Sequence, residues 1–337
     1  MVKSSWSIAA SIVDLSLAER FTIARESWDV ARNVFVTVAY DGVEGIGEAS
    51  PAGRWDETAE AVAAVLEDVD LGRLAGPYDL EGVAALLPAG SARAALDIAL
   101  HDLAARRAGL SVAELLGLGG KTLPPTSVTI PIAAVEDMVG RAETLRDHPV
   151  LKMKVGFDGD VDAVAAVRRV YTGAIRIDAN EGWDEATARA RLGELESVGV
   201  ELCEQPIPAG DPEAMARVAR ATSIPIYADE DVGTAADVAR LAHAVDGVNL
   251  KLRKAGGIRE TVRAIATARA HGMGVMLGCD LESGVAATAQ ASVAALVDHA
   301  DLDGPLLLER DPYPGVAYRR GEMSLPQGPG LGVRRRS

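Results

Sequence analysis

Six charged residues sit where buried strands should carry none. Lys152 and Lys154 lie in Val-Leu-Lys-Met-Lys-Val, Asp178 closes Ile-Arg-Ile-Asp, and Glu204 closes Glu-Leu-Cys-Glu. Asp229 closes Ile-Tyr-Ala-Asp, and Lys251 closes Val-Asn-Leu-Lys. Strands of a parallel sheet read as near-continuous apolar runs, so charges at their ends need a reason. The steps from Lys154 to Asp178, Glu204, Asp229 and Lys251 are 24, 26, 25 and 22 residues. Each is about one strand-plus-helix unit, which places all of these residues on one rim of a parallel barrel, the C-terminal rim where barrel enzymes do chemistry. Three carboxylates converging there repel one another unless a cation sits among them. Oxygen-only ligands on rigid strands suit a hard divalent ion, Mg²⁺ before others. Lysines on the second and sixth strands flank the acids on opposite sides. A substrate carboxylate bound to the metal would put its α-carbon between the two amines. The metal takes up the charge that develops on the carboxylate oxygens, and a positioned lysine adds roughly 10²–10⁴-fold as general base. With a second lysine opposite, the proton returns from the other face and the carbon inverts; one active lysine alone would suit lactone opening or dehydration.

The elements that must hold these residues are legible. Short apolar runs alternate with Ala-rich helical stretches from about residue 126: Ser127–Ile132, Val150–Val155, Ala174–Asp178, Gly199–Glu204, Ile224–Asp229, Gly247–Lys251, Gly274–Gly278 and a weaker eighth near Ala300–Asp303. Strands alternating with helices predict a parallel sheet. Eight units in so short a span fit an α/β fold of (β/α)8 type, a modified TIM barrel, better than an open doubly wound sheet. No G-x-G-x-x-G follows a strand and no G-x-x-x-x-G-K occurs, so nucleotide-binding readings lack a motif. Upstream, period-two alternation over residues 1–50 includes the strand Val34–Tyr40, an Asp41-Gly42 turn and a returning Gly45–Glu48. Residues 56–70 and 91–108 read as helices, and Gly117–Pro125 reads as a linker. The expected organisation is an α+β capping domain over 1–120 and a catalytic barrel over 121–309, with 310–337 packing back on the cap.

Composition excludes other classes. The 337 residues are 48% hydrophobic and 25% charged, with 34 Lys plus Arg against 49 Asp plus Glu, for a formal charge of -15. That is an ordinary globular balance and a poor one for nucleic acid or anionic membranes. Arg334–Arg336 reads as a solvated basic terminus. Cys203 and Cys279 lie in apolar runs and form no disulfide framework, which fits a reduced, cytoplasmic chain. The opening Met-Val-Lys-Ser-Ser-Trp-Ser-Ile has no apolar signal core, and no run is long enough to span a membrane. His101, His148, His243, His271 and His299 show no ligand spacing, and Trp183 reads as loop packing.

At its motifs the chain resembles the enolase superfamily, in particular the muconate-lactonizing subgroup. They are Lys152-Met153-Lys154, Asp178-Ala179-Asn180, Glu204-Gln205-Pro206, Ala228-Asp229-Glu230 and Lys251-Leu252-Arg253-Lys254-Ala255-Gly256-Gly257, with Gly45–Glu48 and Ala95–Leu103 similar to the family's cap. The resemblance implies that Asp178, Glu204 and Asp229 bind one Mg²⁺ and that Lys154 and Lys251 are the acid/base pair. Lys152 would contact the substrate carboxylate and depress the Lys154 pKa, while Asn180 and Glu230 would orient ligands or a lysine. Asp301-Leu302-Asp303 resembles the D-x-D of the dipeptide epimerases; on a strand both carboxylates would point to one side and hold a substrate ammonium. Arg25, in Phe21-Thr22-Ile23-Ala24-Arg25, resembles their specificity loop and would pair with the side-chain carboxylate of a C-terminal glutamate, with Glu26 a competitor. Arg54 and Trp55 would line the pocket, Thr129 and Cys279 would touch substrate, and Glu282 receives no role. The implied activity is Mg²⁺-dependent epimerisation of a small-molecule dipeptide such as L-Ala-D/L-Glu at its C-terminal α-carbon, by 1,1-proton transfer through an enediolate. Alternatives are N-succinyl- or N-acylamino acid racemisation, cycloisomerisation, or a non-catalytic ion-binding barrel. Whether the chain is a homo-oligomer is left open.

Overall fold

In a computed structural model, residues 6–336 are described. The opening five residues, which belong to the stretch lacking a signal core, lie outside them, as does Ser337.

The N-terminal alternation folds into a three-stranded antiparallel sheet, β1 (Trp6–Thr22), β2 (Ser27–Tyr40) and β3 (Val43–Ala49). Asp41 and Gly42, both at positive φ (49° and 80°), make the tight β2–β3 turn. The β1–β2 register runs from Trp6↔Tyr40 to Ser16↔Val30, then slips before Phe21↔Trp28. Strand β2 is covered on both faces. Val34, Val36 and Val38 join the cluster of Ala95, Leu96, Ala99, Leu100 and Leu103, whereas Phe35 joins the barrel-side cluster. The helix Ser91–Ala108 approaches β3 closely because Gly45 and Gly47 have no Cβ; one there would collide with the carbonyls of Ala99 and Ala95. Gly109, at φ 70°, ends that helix in the left-handed conformation.

Eight parallel strands follow in sequence order: β4 (Val128–Ile130), β5 (Val150–Lys154), β6 (Ala174–Asp178), β7 (Val200–Glu204), β8 (Ile226–Ala228), β9 (Gly247–Leu250), β10 (Gly274–Gly278) and β11 (His299–Asp301). A parallel bridge from Thr126 to Ala300 and the Ser127 N–H donating to Ala300 O at 3.0 Å close the ring. Seven of the apolar runs contain one strand each, and the eighth overlaps β11. Neighbouring ends are in register, Lys154↔Asp178 and Asp178↔Glu204, so the charges share one rim.

Several strands stop short of their runs. Asp229 lies one residue past β8 because its N–H goes to the Gln205 side-chain oxygen at 2.9 Å and not to a neighbouring strand. Lys251 caps the short helix Leu252–Ala255 with extended backbone (φ -126°, ψ 135°). Asp303 is not on a strand at all. β11 ends at Asp301, and Asp303 (φ -90°, ψ 4°) caps a 3₁₀ turn, Gly304–Leu307. Strand alternation therefore does not set its direction.

The two parts are bound by buried polar ties. Glu48, 2% exposed, accepts from Asn33 Nδ2 (2.8 Å), Ser283 N (2.9 Å), Ser283 Oγ (2.6 Å) and Ala286 N (3.1 Å), capping the barrel helix Gly284–Ala291 from the cap. Asp97 accepts from Ile258 N at 2.5 Å. The C-terminal stretch touches both parts: Tyr313 stacks on Phe35, Tyr318 donates to Leu302 O, and Leu331 N donates to Asp102. Arg334–Arg336 are exposed. Both cysteines are free, and no helix among the described residues is long and apolar enough to cross a membrane.

Candidate active site

The strand ends and the cap enclose a cavity of about 440 Å³, and Lys152, Lys154, Asp229, Lys251, Asp301 and Asp303 all face it. A larger open depression of about 1080 Å³ lies elsewhere, among Lys121, Asp147, Arg319, Arg320 and Glu322, and touches none of the rim lysines or acids.

Lys154 reaches in from β5 and Lys251 from the residue after β9. These are the second and sixth strands of a ring of eight, hence opposite walls. Asp178, Glu204 and Asp229, from the strands between, are 0%, 0% and 2% exposed. Lys154 Nζ lies 2.6 Å from Asp178, Lys251 Nζ 3.0 Å from Asp229, and Lys254 Nζ 2.5 Å from Asp229. Lys152, expected at the substrate carboxylate, makes its contacts to acids: Asp178 at 3.0 Å, Glu204 at 2.7 Å and Asp301 at 2.7 Å. It sits deepest, 2% exposed, because only a ring of carboxylates compensates a buried ammonium.

The electrostatics follow from burial and neighbours. Burial raises the Asp178 pKa, but Lys152 and Lys154 outweigh it and hold the carboxyl below its usual range. For Asp229, Lys251 and Lys254 do the same. Burial and the Asp178 charge push Glu204 up to about 8 against the pull of Lys152. Burial would lower the Lys251 pKa, yet Asp229 and Asp280 outweigh it and the pKa is raised.

The donor chemistry fits a hard divalent cation. It consists of carboxylate oxygens on consecutive rigid strands, and Glu204 Oε2, though near Lys152, has no aligned donor. Among the described residues no three acids already close into a cage; ammonium groups stand between them. The supporting contacts are specific. Asn180, at φ 44°, donates its N–H to Asp178 at 2.9 Å. Gln205 is held at φ 35°, a conformation costing about 1–3 kcal/mol, by side-chain bonds to Asp229 N, Ile207 O and Asp231. Asn249 Nδ2 donates to Glu204 at 2.7 Å.

Around the rest of the cavity, Asp301 accepts from Ser127 Oγ at 2.6 Å and Asp303 from Thr129 N at 2.7 Å, with Cys279 Sγ 3.7 Å from Asp303. Burial and the Asp301 charge push Asp303 up to about 6, and burial with Asp303 raises the Cys279 thiol well above its usual range. Glu230 pairs with no lysine among the described residues; it binds Arg25 Nη2 at 2.8 Å and Asn180 Nδ2 at 3.3 Å, and the lysine on Asp229 besides Lys251 is Lys254. Arg25 is engaged by Glu230, by Glu181 at 3.2 Å and by Asn180 O at 2.9 Å, while Glu26, the expected competitor, is 3.7 Å away. Glu282 is buried outside the cavity lining and accepts from Gln290 Nε2. Trp183 packs with its Nε1 on Asp160, as a loop-packing residue would.

Gln205, Asn249 and Glu181 carry weight that sequence reasoning gave to none of them. Asn249 had a signal, a lone amide in a buried strand two residues before Lys251. Glu181 had none.

The chain matches the family model "Mandelate racemase / muconate lactonizing enzyme, N-terminal domain" over residues 7–117 and "Enolase C-terminal domain-like" over residues 133–336. It is 36% identical to the L-Ala-D/L-Glu epimerase of Bacteroides thetaiotaomicron, covering 95% of this chain and 85% of that protein. It is 37% identical to the hydrophobic dipeptide epimerase of Roseobacter litoralis, covering 92% and 94%. The crystal structure of the Cytophaga hutchinsonii dipeptide epimerase, complexed with Mg and D-Ala-L-Val, superposes with a TM-score of 0.90 at 30% identity, covering 99% of this chain and 96% of that one. With both of its parts matched, this chain belongs to the mandelate racemase / muconate lactonizing enzyme family of the enolase superfamily.

Proposed function

We propose that the chain is a dipeptide epimerase, inverting the α-carbon of a dipeptide's C-terminal residue by 1,1-proton transfer. The carrying observation is that two lysines enter one cavity from opposite walls with three buried carboxylates between them. Asp178, Glu204 and Asp229 are the residues for Mg²⁺, which when bound supplies a Lewis acid for the substrate carboxylate. Lys154 and Lys251 hold the two faces of the α-carbon, one removing a proton and the other delivering one. A lysine base must be neutral. Burial is the main influence on Lys251 that favours its neutral amine, and the charges of Asp229 and Asp280 oppose it. Asp301 and Asp303 receive the substrate ammonium beside Thr129 and Cys279, a role that N-succinyl substrates would leave unfilled. Asn180 steadies Asp178, and Glu230 and Arg25 belong to the wall of the side-chain pocket.

The test is α-proton exchange in D₂O with Mg²⁺ and a panel of L-Ala-L-Xaa dipeptides and N-succinyl amino acids, followed by NMR. Wild type is expected to wash deuterium into the C-terminal α-position and to interconvert epimers. Lys154→Ala and Lys251→Ala should each abolish interconversion, each keeping exchange of one epimer only. No exchange with any dipeptide refutes the proposal; exchange confined to N-succinyl substrates moves the reading to a racemase.

A further inference from the structure

The roof of the cavity is fastened by ion pairs between cap and barrel. Arg25 and Arg54 come from two cap loops. Arg54 makes a two-pronged fork on Glu181, with Nε and Nη2 each 3.0 Å from a carboxylate oxygen, and Arg25 shares Glu181 (3.2 Å) and adds Glu230 (2.8 Å). Glu181 is fixed on the barrel side by Ala209 N at 2.9 Å. A third guanidinium, Arg253, forks onto Asp280 at 2.8 and 3.1 Å. Trp55 lies between two of these cations, Arg54 at 5.1 Å and Arg253 at 5.7 Å from its ring centroid. Three guanidiniums thus meet three carboxylates, and all seven side chains are at most 37% exposed or line the same cavity.

A substrate side chain leaving the α-carbon toward the cap meets this group. A carboxylate there finds these three guanidiniums already paired. To pair with Arg25 or Arg54 it must compete with Glu181 or Glu230 for the same guanidinium, which weakens the compensation of a buried acid and loosens the loop that covers it. An uncharged side chain disturbs no pair and meets apolar surface from Trp55, Ile23 and Phe21. Resting on the epimerase reading above, we infer that this chain selects dipeptides with an uncharged C-terminal side chain and rejects acidic ones, and that Glu181 is the residue that enforces the choice.

The cleanest comparison is L-Ala-L-Gln against L-Ala-L-Glu, which match in size and differ in charge, with L-Ala-L-Leu as apolar reference. Exchange in D₂O is expected to give wild type a kcat/KM at least about tenfold higher for Gln and Leu than for Glu, on the order of one displaced charge pair. Glu181→Gln should narrow or invert the Gln-to-Glu ratio by freeing Arg54, and that ratio, unlike an overall rate, is not moved by a general loss of folded protein. Wild type that exchanges L-Ala-L-Glu as fast as or faster than L-Ala-L-Gln overturns this inference and leaves the epimerase reading standing. An unchanged ratio in a folded Glu181→Gln variant overturns the role of Glu181. No exchange with any of the three overturns this inference, and the epimerase reading falls with it when the wider dipeptide panel is silent too.

Discussion

Asp303 offers the sharpest test of how a dipeptide is held. Burial and the neighbouring Asp301 charge push its carboxyl up to about 6, whereas an ordinary aspartate titrates near 3.9. The sign follows directly. A substrate ammonium needs the ionised form, and with a pKa near 6 only about a tenth of the free enzyme carries it at pH 5, against about nine tenths at pH 7. Because kcat/KM reports the free enzyme, it should fall about tenfold from pH 7 to pH 5 for a free-amino dipeptide. The bound ammonium stabilises the carboxylate, so kcat should show this limb at lower pH or not at all. Asp303→Asn keeps an acceptor for Thr129 N, 2.7 Å away, and removes only the charge. Losing one charge-assisted hydrogen bond, roughly 1.5–3 kcal/mol, predicts a kcat/KM about 10- to 150-fold lower, with the inflection near pH 6 gone. The assay is the pH profile of α-proton exchange for wild type and variant. An inflection that survives in Asp303→Asn belongs to another group, such as a lysine, and a flat wild-type profile from pH 5 to 7 would refute the reasoning.

Three further outcomes are expected. Asn249→Leu removes the buried donor 2.7 Å from Glu204 and should weaken Mg²⁺ binding about 10- to 100-fold in a calorimetric titration; unchanged affinity in a folded variant would show that Asn249 does not position Glu204. Glu48→Ala strands Ser283 N and Ala286 N, while Asn33 Nδ2 keeps Leu281 O, which at about 1–3 kcal/mol per orphan should cost roughly 2–5 kcal/mol in guanidinium denaturation; a cost below about 1 kcal/mol would mean the cap is held mainly by other contacts. Gly47→Ala drives a Cβ into the Ala95 carbonyl and should destabilise by about 3 kcal/mol, and a melting temperature equal to wild type would contradict the close approach of β3 to the helix Ser91–Ala108.

The barrel was legible because its signal is local and repeated. Each apolar run carries its own β-propensity, and the interval between charged ends measures one strand and one helix, so Lys154, Asp178, Glu204, Asp229 and Lys251 could be placed on one rim from spacing alone. What spacing cannot supply is the partner of a side chain across a loop. Arg25 was visible as a cap-loop cation, but its pairing with Glu181 and Glu230 depends on loops 156 and 205 residues away in sequence. Asp303 was placed at the end of the weaker eighth run, yet the chain turns after Asp301 and a 3₁₀ turn takes over. Gln205 stood in the motif Glu204-Gln205-Pro206 without a role of its own. Its structural part is to bond the Asp229 N–H one strand away, a contact that exists only once the barrel has closed.

These two kinds of position divide the labour of the site. Four ammonium groups and the acids among them are each buried at a cost of several kcal/mol, a cost offset only while every charge keeps its neighbour at 2.5–3.0 Å. Proton transfer requires that this balance be broken at one lysine at a time without the rest collapsing. Register-locked strands can meet that requirement, because Lys154, Asp178 and Glu204 are fixed by backbone ladders that do not depend on their charges. Loops are not locked in this way, because no strand register fixes which carboxylate an arginine meets. The arginine–carboxylate fastenings of the cap, at 30% and 37% exposure for Arg25 and Arg54, can therefore change partner across relatives and redirect side-chain choice while the lysine–carboxylate rim stays as it is.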